Sequence, residues 1–156
     1  MKQALSDLLL RLENTVNGEP WFGRSALSLL KEVNPEGVFM KTGNGGHSLA
    51  DLLWHMITWA QFTLDRLEKK QEKDMAAFES LDWRTIDPAI HSWKNGIKEF
   101  TLIYGKISDL LKKKNDAFLE EKVDYRDYNV QFLLNGLIEH TIYHLGQIAY
   151  AQKQLN

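Results

Sequence analysis

Apolar side chains recur every three or four positions along most of the 156-residue chain, which is the spacing of amphipathic α-helices. Strict alternation of apolar and polar residues, the sign of β-strands, is nearly absent. The pattern predicts long helices over residues 2–16, 49–70, 88–113 and 129–153, and a short helix over 25–33. Four long amphipathic helices are typical of an all-α four-helix bundle. The long connections after the first two long helices predict extra material outside the bundle or across one end.

Local signals place the starts of two of these helices. Ser48 precedes the second long helix, and Asp51 follows three residues later, which is the spacing of a capping box. Asp87 followed by Pro88 predicts the start of the third long helix, because an acid can cap the first turn and proline fits there.

The composition narrows the class of protein. The chain has no linker, repeat or low-complexity segment, so we expect one domain over residues 1–156. With 19 basic and 21 acidic residues the net charge is -2, and we expect no binding to nucleic acid, which needs a basic face. The N-terminal residues resemble neither a signal peptide nor a membrane span, so we expect a cytoplasmic protein without a membrane partner.

The chain contains no cysteine. This excludes disulfides, thiolate metal ligands and a cysteine nucleophile. Any thiol chemistry would need a thiol that arrives on a second substrate.

Three histidines lie at the edges of apolar arcs on two different helices. His140 and His144, in IEHTIYHLGQIAYAQ, are one helical turn apart, close enough to bind one ion. His55, in LLWHMITWA, has the same placement on the second long helix. Because inward faces converge in a bundle, we expect the three side chains to hold a divalent metal ion. The alternative is that core hydrogen bonds satisfy each ring, since an unsatisfied buried polar group costs roughly 1–3 kcal/mol.

Neighbouring side chains are candidates for supporting roles. Gln147, one turn beyond His144, is expected to hydrogen-bond a ligand or water, or to be a surface residue. Asp51, one turn before His55, is expected either to orient that ring or only to cap its helix. Tyr143 is expected to line a pocket mouth or dimer contact, or to be an ordinary packed aromatic.

The same alternatives apply to Trp54, which the helical pattern places just outside the buried arc. His47 and His91 are predicted to lie outside the metal site, as surface or hydrogen-bonding residues. Gly146 is expected to let another helix approach closely. For the three site histidines, the ordinary pKa of about 6.5 predicts that protons compete with metal at pH 5.

Two stretches together resemble the DinB/YfiT superfamily of metal-dependent enzymes: HSLADLLWHMITWAQFTLDRLE and, some seventy residues on, LNGLIEHTIYHLGQIAYAQK. The pattern of that superfamily is a histidine in the second helix and His-x-x-x-His-x-Gly-Gln near the C-terminus. The resemblance implies a four-helix bundle in which His55, His140 and His144 bind zinc or nickel, and a homodimer. It also implies, as in some relatives, a thiol-dependent S-transferase or isomerase using a low-molecular-weight thiol such as bacillithiol or mycothiol.

Two functional hypotheses follow. In the first, the chain is a metal-dependent transferase or hydrolase that acts on a small molecule, with a low-molecular-weight thiol as a candidate cosubstrate. Three neutral imidazoles leave further metal positions open to water or substrate, and they suit zinc, nickel, copper and iron. In the second, the chain is a non-catalytic, metal-stabilised bundle that binds a ligand or protein partner.

Overall fold

A computed structural model describes residues 3–70 and 75–155. The α-helices of the described residues are α1 (Ala4–Asn17), α2 (Ala26–Glu32), α3 (Leu49–Leu67), α4 (Met75–Leu81), α5 (Trp93–Leu111), α6 (Ala117–Glu120) and α7 (Val130–Leu155). A single 3₁₀ turn, Pro35–Gly37, follows α2. Extended structure in these ranges is limited to two isolated β-bridges, which join Lys41 to Ser48 and Lys122 to Asn129.

The four long helices form the predicted bundle. Helix α3 packs against α5 and α7, and α1 packs against the same two helices, so α1 and α3 occupy diagonal positions. Their apolar stripes meet in one hydrophobic core that also takes in α2, α4 and α6. The all-α prediction is therefore confirmed, and α2 and α4 lie in the two long connections where extra material was predicted. Within the described ranges, no helix has the length and apolar character needed to cross a membrane.

The helices that carry the site histidines, α3 and α7, begin directly after the two β-bridges. At α3 the predicted capping box is present: the Ser48 hydroxyl accepts the Asp51 backbone N–H at 3.0 Å, and the Asp51 carboxylate accepts the Ser48 N–H at 2.8 Å. At α7 the Asn129 side-chain oxygen accepts the Phe132 N–H at 2.9 Å. Each cap satisfies backbone donors that the helix itself leaves free, and so fixes where the helix starts.

The predicted start of the third long helix at Pro88 is wrong. Helix α5 begins at Trp93, and Ser92 is its cap. Asp87 instead closes a separate turn, in which its carboxylate accepts the backbone N–H two residues on, at 2.9 Å. Buried Trp93 then fixes the entry of α5, because its indole N–H donates to the Leu30 carbonyl at 3.0 Å.

Glycine allows close helix contact at Gly96 on α5. A Cβ there would lie 2.6 Å from Leu53 Cδ2 on α3, which is closer than packed carbon atoms approach. Gly146 on α7, which was expected to play this part, is exposed, and a Cβ there would meet nothing within 4 Å. That expectation is wrong within the chain, because none of the described residues outside the neighbouring turns of α7 lies within 4 Å of this Cβ position.

Candidate metal centre

The structure brings together three histidines from two helices. His55 on α3 places its Nε2 atom 3.0 Å from His140 Nε2 and 3.0 Å from His144 Nε2, both on α7. His55 and His144 are buried and His140 is half-buried. One nitrogen from each ring lies within 4.8 Å of the others, so the group could hold a metal ion.

The hydrogen bonds on the far side of two rings decide which nitrogen carries the proton. His55 Nδ1 faces the Asp82 carboxylate, and His144 Nδ1 lies 2.5 Å from Gln147 Oε1. Both partner atoms are acceptors, so each ring in its neutral form is protonated at Nδ1 and presents a lone pair at Nε2. The lone pairs of His55 and His144 therefore point at each other across 3.0 Å.

Within the described part of the chain, too few protons are available to separate these lone pairs. His140 can donate from Nε2 to one neighbour at most, and its own Nδ1 is buried without a hydrogen-bond partner among the described residues. A divalent cation would satisfy all three inward nitrogens at once, and neutral imidazoles held by outer acceptors are the usual ligands of such ions. The donor set therefore fits a metal ion better than it fits a hydrogen-bonded core.

The surroundings keep all three rings in the neutral form that binds metal. Burial, with repulsion from the two neighbouring rings, lowers the pKa of His140 to about 3. Burial also lowers the pKa of His55 and of His144, although Asp82 and Gln147 oppose this by stabilising their protonated rings. Proton competition at the site therefore moves to lower pH than the ordinary histidine pKa predicted.

The carboxylate that orients His55 is Asp82, at the end of α4. Asp82 Oδ1 contacts His55 Nδ1 and also accepts the Trp59 indole N–H at 3.1 Å. Asp51, the candidate from the sequence, is occupied in the α3 capping box, which was its alternative role. Asp82 lies outside the long helical patterns, so no sequence pattern indicated that it meets His55.

Trp83 is the second residue that the sequence did not single out. Its ring is sandwiched between His47, at a centroid distance of 3.7 Å, and His55, at 3.9 Å, nearly parallel to both. His47 is exposed, as predicted, but its ring stacks on Trp83, which in turn stacks on His55 of the cluster. The stretch LDWR thus supplies an acid and an aromatic ring to the centre from a connection rather than from a helix face.

The other predicted residues lie around the centre. Trp54 is buried and donates its indole N–H to the His91 carbonyl at 3.1 Å. It is therefore a packed aromatic, and its predicted position just outside the buried arc is wrong. Tyr143 is 65% exposed and meets His144 edge-on at 5.0 Å. His91 accepts the Asp87 N–H at Nδ1, which is the hydrogen-bonding role that was expected.

The sequence matches a known family. The sequence profile of the DinB superfamily matches residues 22–148, a range that includes all three histidines and the connection that carries Trp83. The chain belongs to the DinB superfamily. A crystal structure of a DinB-like protein from Bacillus cereus resembles it with a TM-score of 0.71 and 18% identity, over 99% of this chain and 95% of that one. This likeness shows that the DinB fold is shared, and among curated proteins no match is found.

Proposed function

We propose that this DinB-superfamily member is a metal-dependent enzyme that acts on a small molecule as a transferase or hydrolase. His55, His140 and His144 would hold one divalent ion, with zinc or nickel as the proposed metal. The observation that supports this most directly is the convergence of the His55 and His144 lone pairs at 3.0 Å. A bound ion supplies Lewis acidity, which activates water or a thiol and polarises carbonyl groups.

Other residues of the chain contact the rings of His55 and His144. Asp82 and Gln147 keep the protons of His55 and His144 on the outer nitrogens and hold the two rings in position. Trp83 stacks on one face of the His55 ring at a centroid distance of 3.9 Å. Three protein ligands leave the remaining positions to a small molecule.

A low-molecular-weight thiol, such as bacillithiol or mycothiol, is the proposed cosubstrate. The chain has no cysteine of its own, so a thiol must come from solution. The cytoplasm is the compartment that keeps such thiols reduced, and it is the proposed location.

Calorimetric titration of metal-free protein with zinc and with nickel tests the site. We expect one ion per chain for the wild type and for His91→Ala, because His91 is hydrogen-bonded outside the cluster. His140→Ala should bind far more weakly, because it leaves two ligands. A wild type that binds neither ion, or binding that survives in His140→Ala but not in His91→Ala, would refute the assignment.

A turnover assay separates catalysis from the alternative of a non-catalytic, metal-stabilised bundle. Bacillithiol with a chlorodinitrobenzene electrophile tests thiol transfer, and a nitrophenyl ester tests hydrolysis. Activity that disappears with chelation and returns with metal, while circular dichroism shows unchanged helix content, supports the enzyme. Metal binding that raises stability without turnover of either probe supports the alternative.

A further inference from the structure

A cavity of about 210 Å³ lies between α3 and α7, directly beside His140. Its walls are mainly aromatic. The residues that matter for its chemistry are Trp59, Phe62, Tyr128, Phe132, Gly136 and His140. Its volume is roughly that of seven molecules of liquid water, which suits a small ligand and not a peptide.

The polar groups of the cavity are few. Thr63 also lines it, but its hydroxyl already donates to the Trp59 carbonyl at 2.9 Å. Tyr128 is half-buried, and its phenolic hydroxyl can both donate and accept a hydrogen bond. Small-molecule sites typically combine apolar walls with a few polar groups, and this cavity has that composition.

Two walls of the cavity are parts of the metal centre. His140 lines the cavity, and its Nε2 atom lies 3.0 Å from His55 Nε2. Trp59 lines it too, and its indole N–H donates to Asp82, the carboxylate that contacts His55. A molecule in the cavity therefore lies against the residues that form and orient the three-histidine cluster.

Gly136 lines the cavity and places no side chain in it. A Cβ at this position would meet nothing within 4 Å, although glycine inside a helix is destabilising by roughly 0.5–1 kcal/mol relative to alanine. Gly146 lies on the same helix and has equally open space, but it does not line the cavity. The two glycines thus form a matched pair, of which one borders the cavity.

We propose that this cavity binds the apolar part of the substrate, namely an aryl or short alkyl group that carries one hydrogen-bonding function. Its role as a substrate pocket rests on the proposed function, but binding of the apolar group requires no metal. The reacting end of the substrate would then face His140 and the cluster.

Phenethyl alcohol is the probe, because it combines an aryl group with one hydroxyl. It is titrated into metal-free protein, and the Trp59 indole N–H signal is followed by NMR. We expect saturable binding that shifts this signal and leaves that of fully exposed Trp21 unchanged. Gly136→Leu fills the cavity and should weaken binding at least about tenfold, equivalent to about 1.4 kcal/mol. Gly146→Leu adds the same side chain outside the cavity and should leave the affinity unchanged.

Equal affinity in Gly136→Leu and Gly146→Leu would overturn the proposal. A wild-type protein whose Trp59 signal does not respond to phenethyl alcohol would also overturn the proposal. This result does not depend on whether either variant folds. Zinc titration of the same proteins separates the two ideas. If the protein binds phenethyl alcohol but takes up no zinc, the cavity proposal stands and the metal site is rejected. If it takes up zinc but does not bind phenethyl alcohol, the metal site stands and the cavity proposal is rejected.

Discussion

Metal should stabilise the folded protein, and His140 should be required for that effect. A ligand that binds only the folded state stabilises it by RT ln(1 + [L]/Kd), about 2.7 kcal/mol at about a hundred times Kd. For a chain of this length, each kcal/mol raises Tm by roughly 2–4 °C. Zinc or nickel at that excess should therefore raise Tm by about 5–11 °C. His140→Ala should lose most of this gain, because it removes the ring that lies 3.0 Å from His55.

The pH dependence follows from the lowered histidine pKa values. Without metal, the unfolded state binds protons near pH 6.5 and the folded state only at lower pH, so stability falls as pH drops from about 6.5 towards the folded values. For His140 the folded pKa is about 3. Competition between protons and metal depends on the folded pKa values, so the increase in Tm on adding metal should largely persist at about pH 5.

Differential scanning calorimetry at about pH 7.5 and about pH 5, with and without metal, measures both effects. His91→Ala is the control, because that ring is hydrogen-bonded outside the cluster. A full metal response in His140→Ala would show that the ligand set is wrong. A response that vanishes at pH 5 in the wild type would show that burial does not keep the rings neutral.

Three further predictions test the surroundings of the site. Asp82→Asn should weaken zinc binding about 10–100-fold in calorimetry, because Asp82 contacts His55 Nδ1, whereas Asp51→Asn should lower stability and spare zinc affinity. Gly96→Ala should destabilise the fold by about 1–3 kcal/mol in urea unfolding, because its Cβ would press on Leu53, whereas Gly105→Ala in open space on the same helix should stabilise it slightly. Light scattering at tens of micromolar should show a homodimer, and a monomer would contradict that prediction.

The sequence predicted the histidine cluster because its three members lie on long amphipathic helices. On such helices the 3.6-residue period fixes which side chains face inward, so His55, His140 and His144 could be placed without knowing any contact. The protons on Nδ1 of His55 and His144 depend on hydrogen-bond partners that the helical period does not identify. Gln147 was singled out because it lies one turn from His144, but it was expected to bond a ligand or water, whereas in the structure it bonds the His144 ring itself.

Asp82 and Trp83 could not be predicted, because they belong to a connection whose course is set by tertiary packing. The same limit explains Trp54, which the helical pattern placed outside the buried face. In the structure the connection after α4 covers that face, and the His91 backbone carbonyl accepts the Trp54 indole N–H. The Asp87 carboxylate does accept a nearby backbone N–H, as a cap would, but the structure it closes is a turn. Helix α5 starts later because Ser92 caps it and the next residue, Trp93, is buried in the core.

The capping box at Ser48 has a consequence for insertions and deletions. His55 lies about two helical turns after that cap, and each residue added within those turns would rotate the ring by about 100° and advance it by about 1.5 Å. One inserted residue there would turn His55 away from α7, whereas an insertion in the preceding loop would leave the angle between cap and ring unchanged. Length variation among natural homologues should therefore be tolerated before Ser48 and be absent between Ser48 and His55.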